Sequence, residues 1–385
     1  MANELSTDNY GSFWCAAETT YGTDAVSGIS DAIYVDNSQA MYVREIIKRT
    51  GKAPYRDGHK SFVGRAHVPW SLTTDIGVQV IADPPIAGNV PPCDAFLQAC
   101  GFQRVLGGAG QTSIGYFLRS HNFGSMTLYD HETNELNDDE KRVIGLGARG
   151  NCAFSTGSDG RIIADASGFA LPLATLANTS AATGAAAGLV TYTAHPPLIF
   201  QGARTRIHRH SDNAVYGGGS LSSLTNAATL ISFSIDPQMN PTEEFGGHAV
   251  GGIARIGLRP QAGTPVLINF SVEVQDEDEW SWEDIRDTDT LAFDVRPVAA
   301  GNTARTCQML ANGQVVDITK GADGRRTYGI TMEARWPEDA ADGGPAVGTD
   351  PASSFTVGTN EGLDEVPTGA TPVPAMLAFL FDAAS

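Results

Sequence analysis

The sequence predicts a mainly β, antiparallel fold with one short flanking helix, and three observations carry that reading. Apolar residues fall on every second position in ISFSID (231–236), INFSVEV (268–274) and YGITMEARW (328–336). A period of two places one side of a strand in a core and leaves the other wet, which is the habit of antiparallel sheets. Turn formers are abundant, with 43 glycines and 20 prolines, while charged residues make up only 18% of the 385-residue chain. That balance suits many strands joined by turns. Helical periodicity, the third observation, is nearly absent. A chain of this length accommodates one large or two medium domains with an ample core.

Taken in order, residues 44–65 (REIIKRTGKAPYRDGHKSFVGR) are basic and carry the Gly and Pro of a long loop. Residues 91–102 (PPCDAFLQACGF) are the clearest helix: a Pro pair opens it, Cys93, Phe96, Leu97 and Cys100 form the apolar stripe, and Gly101 can close it. DEWSWEDIRD (278–287) is a weaker helical candidate. Residues 174–188 (ATLANTSAATGAAAG) read as an exposed excursion or linker. After Arg335 no Lys or Arg follows. This acidic stretch ends in the apolar AMLAFLF (375–381), which reads either as a docking hook or as a frayed terminus.

The net charge of −19 argues against a protein that grips nucleic acid, because gripping needs basic phosphate contacts. A protein past which nucleic acid must slide is a different matter, and there an acidic surface suits. No basic segment followed by an apolar run opens the chain, so synthesis in the cytoplasm is expected. AMLAFLF is too short to span a bilayer, and no membrane association is expected. The five cysteines form no C-x-x-C pair and are expected as buried thiols, with no disulfide or zinc site.

Gly145, Gly147 and Gly150 in RVIGLGARGNCAF have the spacing of a dinucleotide-binding loop. That loop needs a helix behind it to face the pyrophosphate, whereas NCAFST followed by GSDG reads as strand and turn. A nucleotide site is therefore not built here. His208 and His210 share a face of any strand but have no third ligand close in sequence, so a basic surface patch is the simpler reading. The run Asp276 to Glu279 lacks the spacing of a calcium loop. No Gly-x-Ser-x-Gly elbow or P-loop is present, and neither catalysis nor a cofactor or metal is expected.

The chain also echoes itself. ARGNCAFST-GSDGR (148–161) aligns with ANGQVVDITKGADGR (311–325) once a gap is opened opposite Lys320, and each reads as a hairpin. Upstream, TLYD (127–130) and TLAFD (290–294) lie at a similar offset. Duplication of a β unit and chance matching both account for similarities of this size.

Several stretches, in this order, resemble the tail tube (major tail) proteins of long, non-contractile bacteriophage tails. They are AETTYGTDAVSGISDAIYV (17–35), the loop KRTGKAPYRDGHKSFVGRAHVPWSL, the helix PPCDAFLQACGF, the "GxRGN" strand GLGARGNCAF (145–154), RPVAAGNTARTCQML (296–310) and GADGRRTYGITMEA. The resemblance is scattered over 17–334, and residues 174–188 and the acidic tail stand outside it.

The resemblance implies a β-sandwich that forms a barrel across subunits, with a flanking helix. It implies a structural virion protein whose rings stack into a conduit for genome ejection, and in which a long loop reaches the next ring. The expected division is 1–200 as one tail-tube unit with a stacking loop at 44–68, 201–336 as a second, and 337–385 as an acidic arm. Duplicated units favour trimeric rings with pseudo-sixfold symmetry, and an unduplicated chain favours hexamers. Further partners implied are the tape measure, tail terminator and distal tail proteins, with viral DNA passing the lumen unbound. The site of residence would be the virion tail, assembled in the host cytoplasm.

Stacking joins two different faces of one molecule and needs them complementary. The basic set Arg44, Lys48, Arg49, Lys52, Arg56, Lys60 and Arg65 and the acidic set Asp276, Glu277, Asp278, Glu279, Glu283 and Asp284 are the candidate inter-ring contacts. Exchanging Arg49, Lys52 and Arg56 for Glu is expected to block tube growth and spare folding. The alternative is a β-sandwich carbohydrate-binding or adhesive module elsewhere on a virion, with Trp14, Trp70, Trp280, Trp282 and Trp336 as a sugar-stacking platform.

Overall fold

The computed structural model describes residues 12–26, 31–47, 62–77, 90–106, 113–118, 123–133, 140–173, 196–200, 205–210, 221–223, 228–245, 253–261, 266–274, 291–295, 297–300, 302–321, 327–334 and 377–383. The chain begins with β1 (Ser12–Ala17), β2 (Ala32–Ile33), β3 (Asn37–Ala40), β4 (Val43–Ile47) and β5 (Phe62–Asp75). Helix α1 (Asp94–Ala99) follows, then β6 (Phe102–Leu106), β7 (Ser113–Leu118), β8 (Met126–Thr133), β9 (Glu140–Thr156) and β10 (Ile162–Pro172). Next come β11 (Leu198–Ile199), β12 (Thr205–His210), β13 (Leu221–Ser223), β14 (Ala228–Asp236), β15 (Met239–Phe245) and β16 (Ile253–Pro260). The remainder is β17 (Leu267–Val274), β18 (Leu291–Val295), β19 (Val298–Ala299), β20 (Asn302–Lys320), β21 (Thr327–Ala334) and β22 (Leu377–Ala383).

The fold is mainly β, as expected, with a large antiparallel sheet that does not close into a barrel and a separate β15–β16 hairpin. Helix α1 is shorter than the 91–102 expected. The Pro91 carbonyl accepts from the Asp94 N–H (2.9 Å) in a turn that precedes the helix, and Gly101, at φ +97°, turns the chain directly into β6. The predicted stripe of Cys93, Phe96, Leu97 and Cys100 is buried. Its acidic first-turn residue, Asp94, is buried with it and receives hydrogen bonds from Tyr116 Oη (2.8 Å), Arg104 (2.8 Å) and Gln98 (3.0 Å).

Both halves of the chain use one strand order. In the first, β1 pairs β8, β8 pairs β9, β9 pairs β10, β10 pairs β5, and β5 pairs β3. In the second, β12 pairs β18, β18 pairs β20, β20 pairs β21, β21 pairs β17, and β17 pairs β14. Each half also projects a hairpin arm from the same place: β4 with the start of β5, and β15 with β16.

The repeated sequence lies on corresponding hairpins, β9–β10 and β20–β21. Alignment by sequence sets the extra residue at Lys320, beside the turn, whereas the structure absorbs it at Val316, in a bulge where the β20–β21 register shifts between Val315 and Asp317. The matched glycines have a shared cause. A Cβ on Gly150 would strike the Ser167 carbonyl of β10, and a Cβ on Gly313 would strike the Glu333 carbonyl of β21. The TLYD–TLAFD match does not carry over residue by residue. Met126 and Phe293 stand opposite the matched alanines, Ala148 and Ala311.

The apolar segment near the end of the chain forms β22, seated between β7 and β20. Phe379 and Phe381 are buried there, and Phe379 lies 4.6 Å from the Phe154 ring and 5.2 Å from the Phe102 ring. The hook docks within its own chain, joining a strand of one half to a strand of the other.

Candidate assembly surface

Register, followed strand to strand, gives one ribbon through both halves: β3, β5, β10, β9, then β14, β17, β21, β20. The same four-strand pattern is thus laid down twice, and the link is β14 on β9, with Ser234 opposite Ser155 and Ile235 opposite Phe154. β9 can accept this neighbour because β8 ends at Ala148 on that side, leaving the far part of β9 uncovered.

One side of the ribbon is core: Leu72, Ala164, Ala166, Cys152, Phe154, Phe233, Ile235, Ile268, Phe270, Ile330 and Met332 are all buried. On the other side, register aligns Asn37, Thr73, Asp165 and Ala153 in one row, and Ser155, Ser234, Asn269, Thr331 and Asp317 in another. These side chains are half-buried or exposed. The segments β3, β10, β14, β17 and β21 contain no Lys, Arg or His, yet they contribute Asp165, Asp236, Glu273 and Glu333. At one end, Arg161 is surrounded by Asp159 (2.5 Å), Asp75 (3.4 Å) and Asp36 (3.5 Å), which cancel its charge. Burial, together with the Asp36 charge, raises the Asp75 carboxyl above its ordinary range. The wet side is polar, acidic and almost free of cations.

The "GxRGN" residues secure the junction between the halves. Arg149 donates to the carbonyls of Gly124 (2.9 Å) and Phe123 (2.9 Å) in its own half and to that of Ile256 (3.0 Å) on β16. Its guanidinium lies 5.0 Å from the Tyr21 ring centre, and burial lowers its pKa. Asn151 donates to Asp236 (2.7 Å) at the end of β14 and accepts from the Met239 N–H (2.9 Å) at the start of β15. No family model matches the chain, and no curated protein matches it.

Sequence reasoning placed the contacts in the charged segments. Arg44 lies exposed on β4, and Arg65 lies exposed on β5 within the arm. Arg65 pairs with Glu45 (3.6 Å) and with Glu243 of β15 (3.1 Å), and His67 Nδ1 stands 3.0 Å from Glu243. Glu243, not noticed in the sequence, therefore joins one arm to the other. Exposed pairs of this kind are worth about 0–1 kcal/mol and act chiefly on register. Lys48, Arg49, Lys52, Arg56 and Lys60 lie outside the described residues, as do Asp276, Glu277, Asp278, Glu279, Glu283 and Asp284.

Arg149 and Asn151 were legible as a motif but not as a junction, because their partners are 25 to 107 residues away in sequence. Of the tryptophans, Trp14 and Trp70 are buried in the core and offer no platform for a sugar, and Trp280, Trp282 and Trp336 lie outside the described residues. All five cysteines are buried and free. Among the described residues, no three His, Cys, Asp or Glu side chains form a metal-holding group, and no helix is long and apolar enough to cross a membrane.

Proposed function

We propose that this chain is a tail-tube-type structural protein, which polymerises into rings that stack around a conduit for nucleic acid. The observation that carries the reading is the doubled ribbon, whose two ends are different strands, β3 and β20. A pattern that repeats head to tail within a chain can repeat head to tail between chains, and such heterologous contacts close into rings when the rotation per unit allows. Two quasi-equivalent units per chain favour trimeric rings with pseudo-sixfold symmetry.

The cation-poor side of the ribbon suits the lumen. Counterion release drives protein–DNA binding in proportion to the phosphates neutralised, and a wall poor in Lys and Arg offers little such gain. Its carboxylates repel the passing polyanion. The tape measure, terminator and distal tail proteins remain the partners that this reading entails, and the virion tail its location.

Negative-stain electron microscopy of concentrated protein tests the proposal through end-on class averages. Hollow rings with three strong and three weaker lobes are expected. A protein that stays monomeric and binds glycans would move the assignment to an adhesive module.

A further inference from the structure

Each half offers one strand edge to its neighbour, but only one such contact is made within the chain. In the contact that is made, β14 of the second half lies along β9 of the first. Matching strands by their place in the repeated order makes β3 the counterpart of β14, and β20 the counterpart of β9. Hairpin register sets the residue matches. Thr156 opposite Ile162 corresponds to Lys320 opposite Tyr328, so Ser155 corresponds to Thr319 and Phe154 to Ile318. On the other edge, Leu72 opposite Ser38 corresponds to Ile268 opposite Ile235, so Ser38 corresponds to Ile235 and Asn37 to Ser234.

Among the described residues, no strand pairs with residues 315–320 of β20 on the side away from β21. On β3, Asn37 and Gln39 are exposed, while Asp130 accepts hydrogen bonds from the Ser38 hydroxyl (3.3 Å) and the Ala40 N–H (2.7 Å), which limits the open stretch to its first residues. An open strand edge is a template for another strand.

We infer that β3 of a second copy of this chain pairs antiparallel with the outer edge of β20, with Asn37 opposite Thr319 and Ser38 opposite Ile318. This inference rests on the ring reading above and specifies the contact that closes the ring.

Among the described residues few large apolar side chains are exposed, and one of them is Val316 (47%), the bulge residue on the open edge of β20. It has no counterpart in β9 and lies beside the proposed pairing, where a second copy covers it.

The test is disulfide trapping with Asn37→Cys and Thr319→Cys in one chain. All five native thiols are buried, which keeps the background low. Mild oxidation should give a ladder of covalent multimers ending at the ring, and neither single variant alone should give one. Cross-linking by a single variant would mean a two-fold contact and overturn the inference. Tubes seen by microscopy without any ladder overturn this register while leaving the tube reading intact. A ladder from a protein that never forms rings supports the edge pairing and overturns the tube reading. As a second measurement, Val316→Asp should keep the parent's thermal midpoint and lower the extent of assembly. Assembly equal to the parent's counts against the junction.

Discussion

Thr73 Oγ donates to Asp165 at 2.7 Å across β5 and β10, and at the corresponding place in the second half Thr331 Oγ donates to Asn269 at 2.8 Å across β21 and β17. The two rungs sit on the wet side of the ribbon with donor and acceptor exchanged between strands. Cross-strand pairs of this type contribute about 0.2–1 kcal/mol each. A hydroxyl that donates to a carboxylate in one place and to an amide carbonyl in the other, with no cation, keeps this surface polar without making it sticky for phosphate.

Charge reversal on that side should create what the parent lacks. Asp165→Lys combined with Asp317→Lys is expected to leave folding within about 1 kcal/mol of the parent, because both side chains are exposed. Particles assembled from this variant in the presence of short duplex DNA should retain it at low salt and release it as salt rises. Co-sedimentation at two salt concentrations reads this out. No retention at low salt would place the ribbon's wet side away from the lumen.

Gly150→Ala and Gly313→Ala should both destabilise the fold. In each, the new methyl meets a backbone carbonyl of the paired strand, Ser167 or Glu333, which cannot rotate away as a side chain would. Overpacking of this kind costs about 1–3 kcal/mol. Urea midpoints of the two variants measure it, and parent-like midpoints would mean that the strands separate freely at these points.

Asp94 sets a pH dependence of stability. Burial raises its carboxyl pKa above 3.8 despite the hydrogen bonds from Tyr116 and the Arg104 cation. The folded state therefore binds this proton more tightly than the unfolded chain does. The stability contributed by that proton is fully present below the unfolded value of 3.8 and is lost as pH rises through the folded pKa. Relative to Asp94→Asn, the parent should gain stability on acidification towards pH 4, as followed by urea denaturation across that range. A difference that stays constant with pH would refute the assignment.

Removing β22 should unfold both halves together. Deleting residues 375–385 strips one of the partner strands from β7 and from the first part of β20, and uncovers the core around Phe102 and Phe154. Phe379→Ala alone is expected to cost about 3–5 kcal/mol, as large buried aromatics do. Denaturation midpoints and a single cooperative transition in the parent check this. A truncated chain as stable as the parent would show that β22 is dispensable.

Much of the ribbon was legible in the chain. The alternation in 231–236, 268–274 and 328–336 marked β14, β17 and β21, and the echo between 148–161 and 311–325 marked the repeated hairpin, although the extra residue is Val316 in the bulge and not Lys320 beside the turn. The candidate contacts were less legible. Charge runs are conspicuous in a sequence and single out residues 44–65 and 276–284, whereas Glu243, Arg149 and Asn151 each act through a partner far along the chain.

Strand identity, the two-sided character of each strand and the doubling of the hairpin were determined by the sequence itself, because a period of two and a turn signal are local properties. Three matters were decided only by tertiary structure: which side of each strand is buried, that β14 lies on β9, and that β22 closes over the core between the halves. Strand pairing is a contact between distant segments, and alternation reads the same from either side. Only the packed chain distinguishes the side covered by Phe154 and Ile235 from the one lined by Ser155 and Ser234.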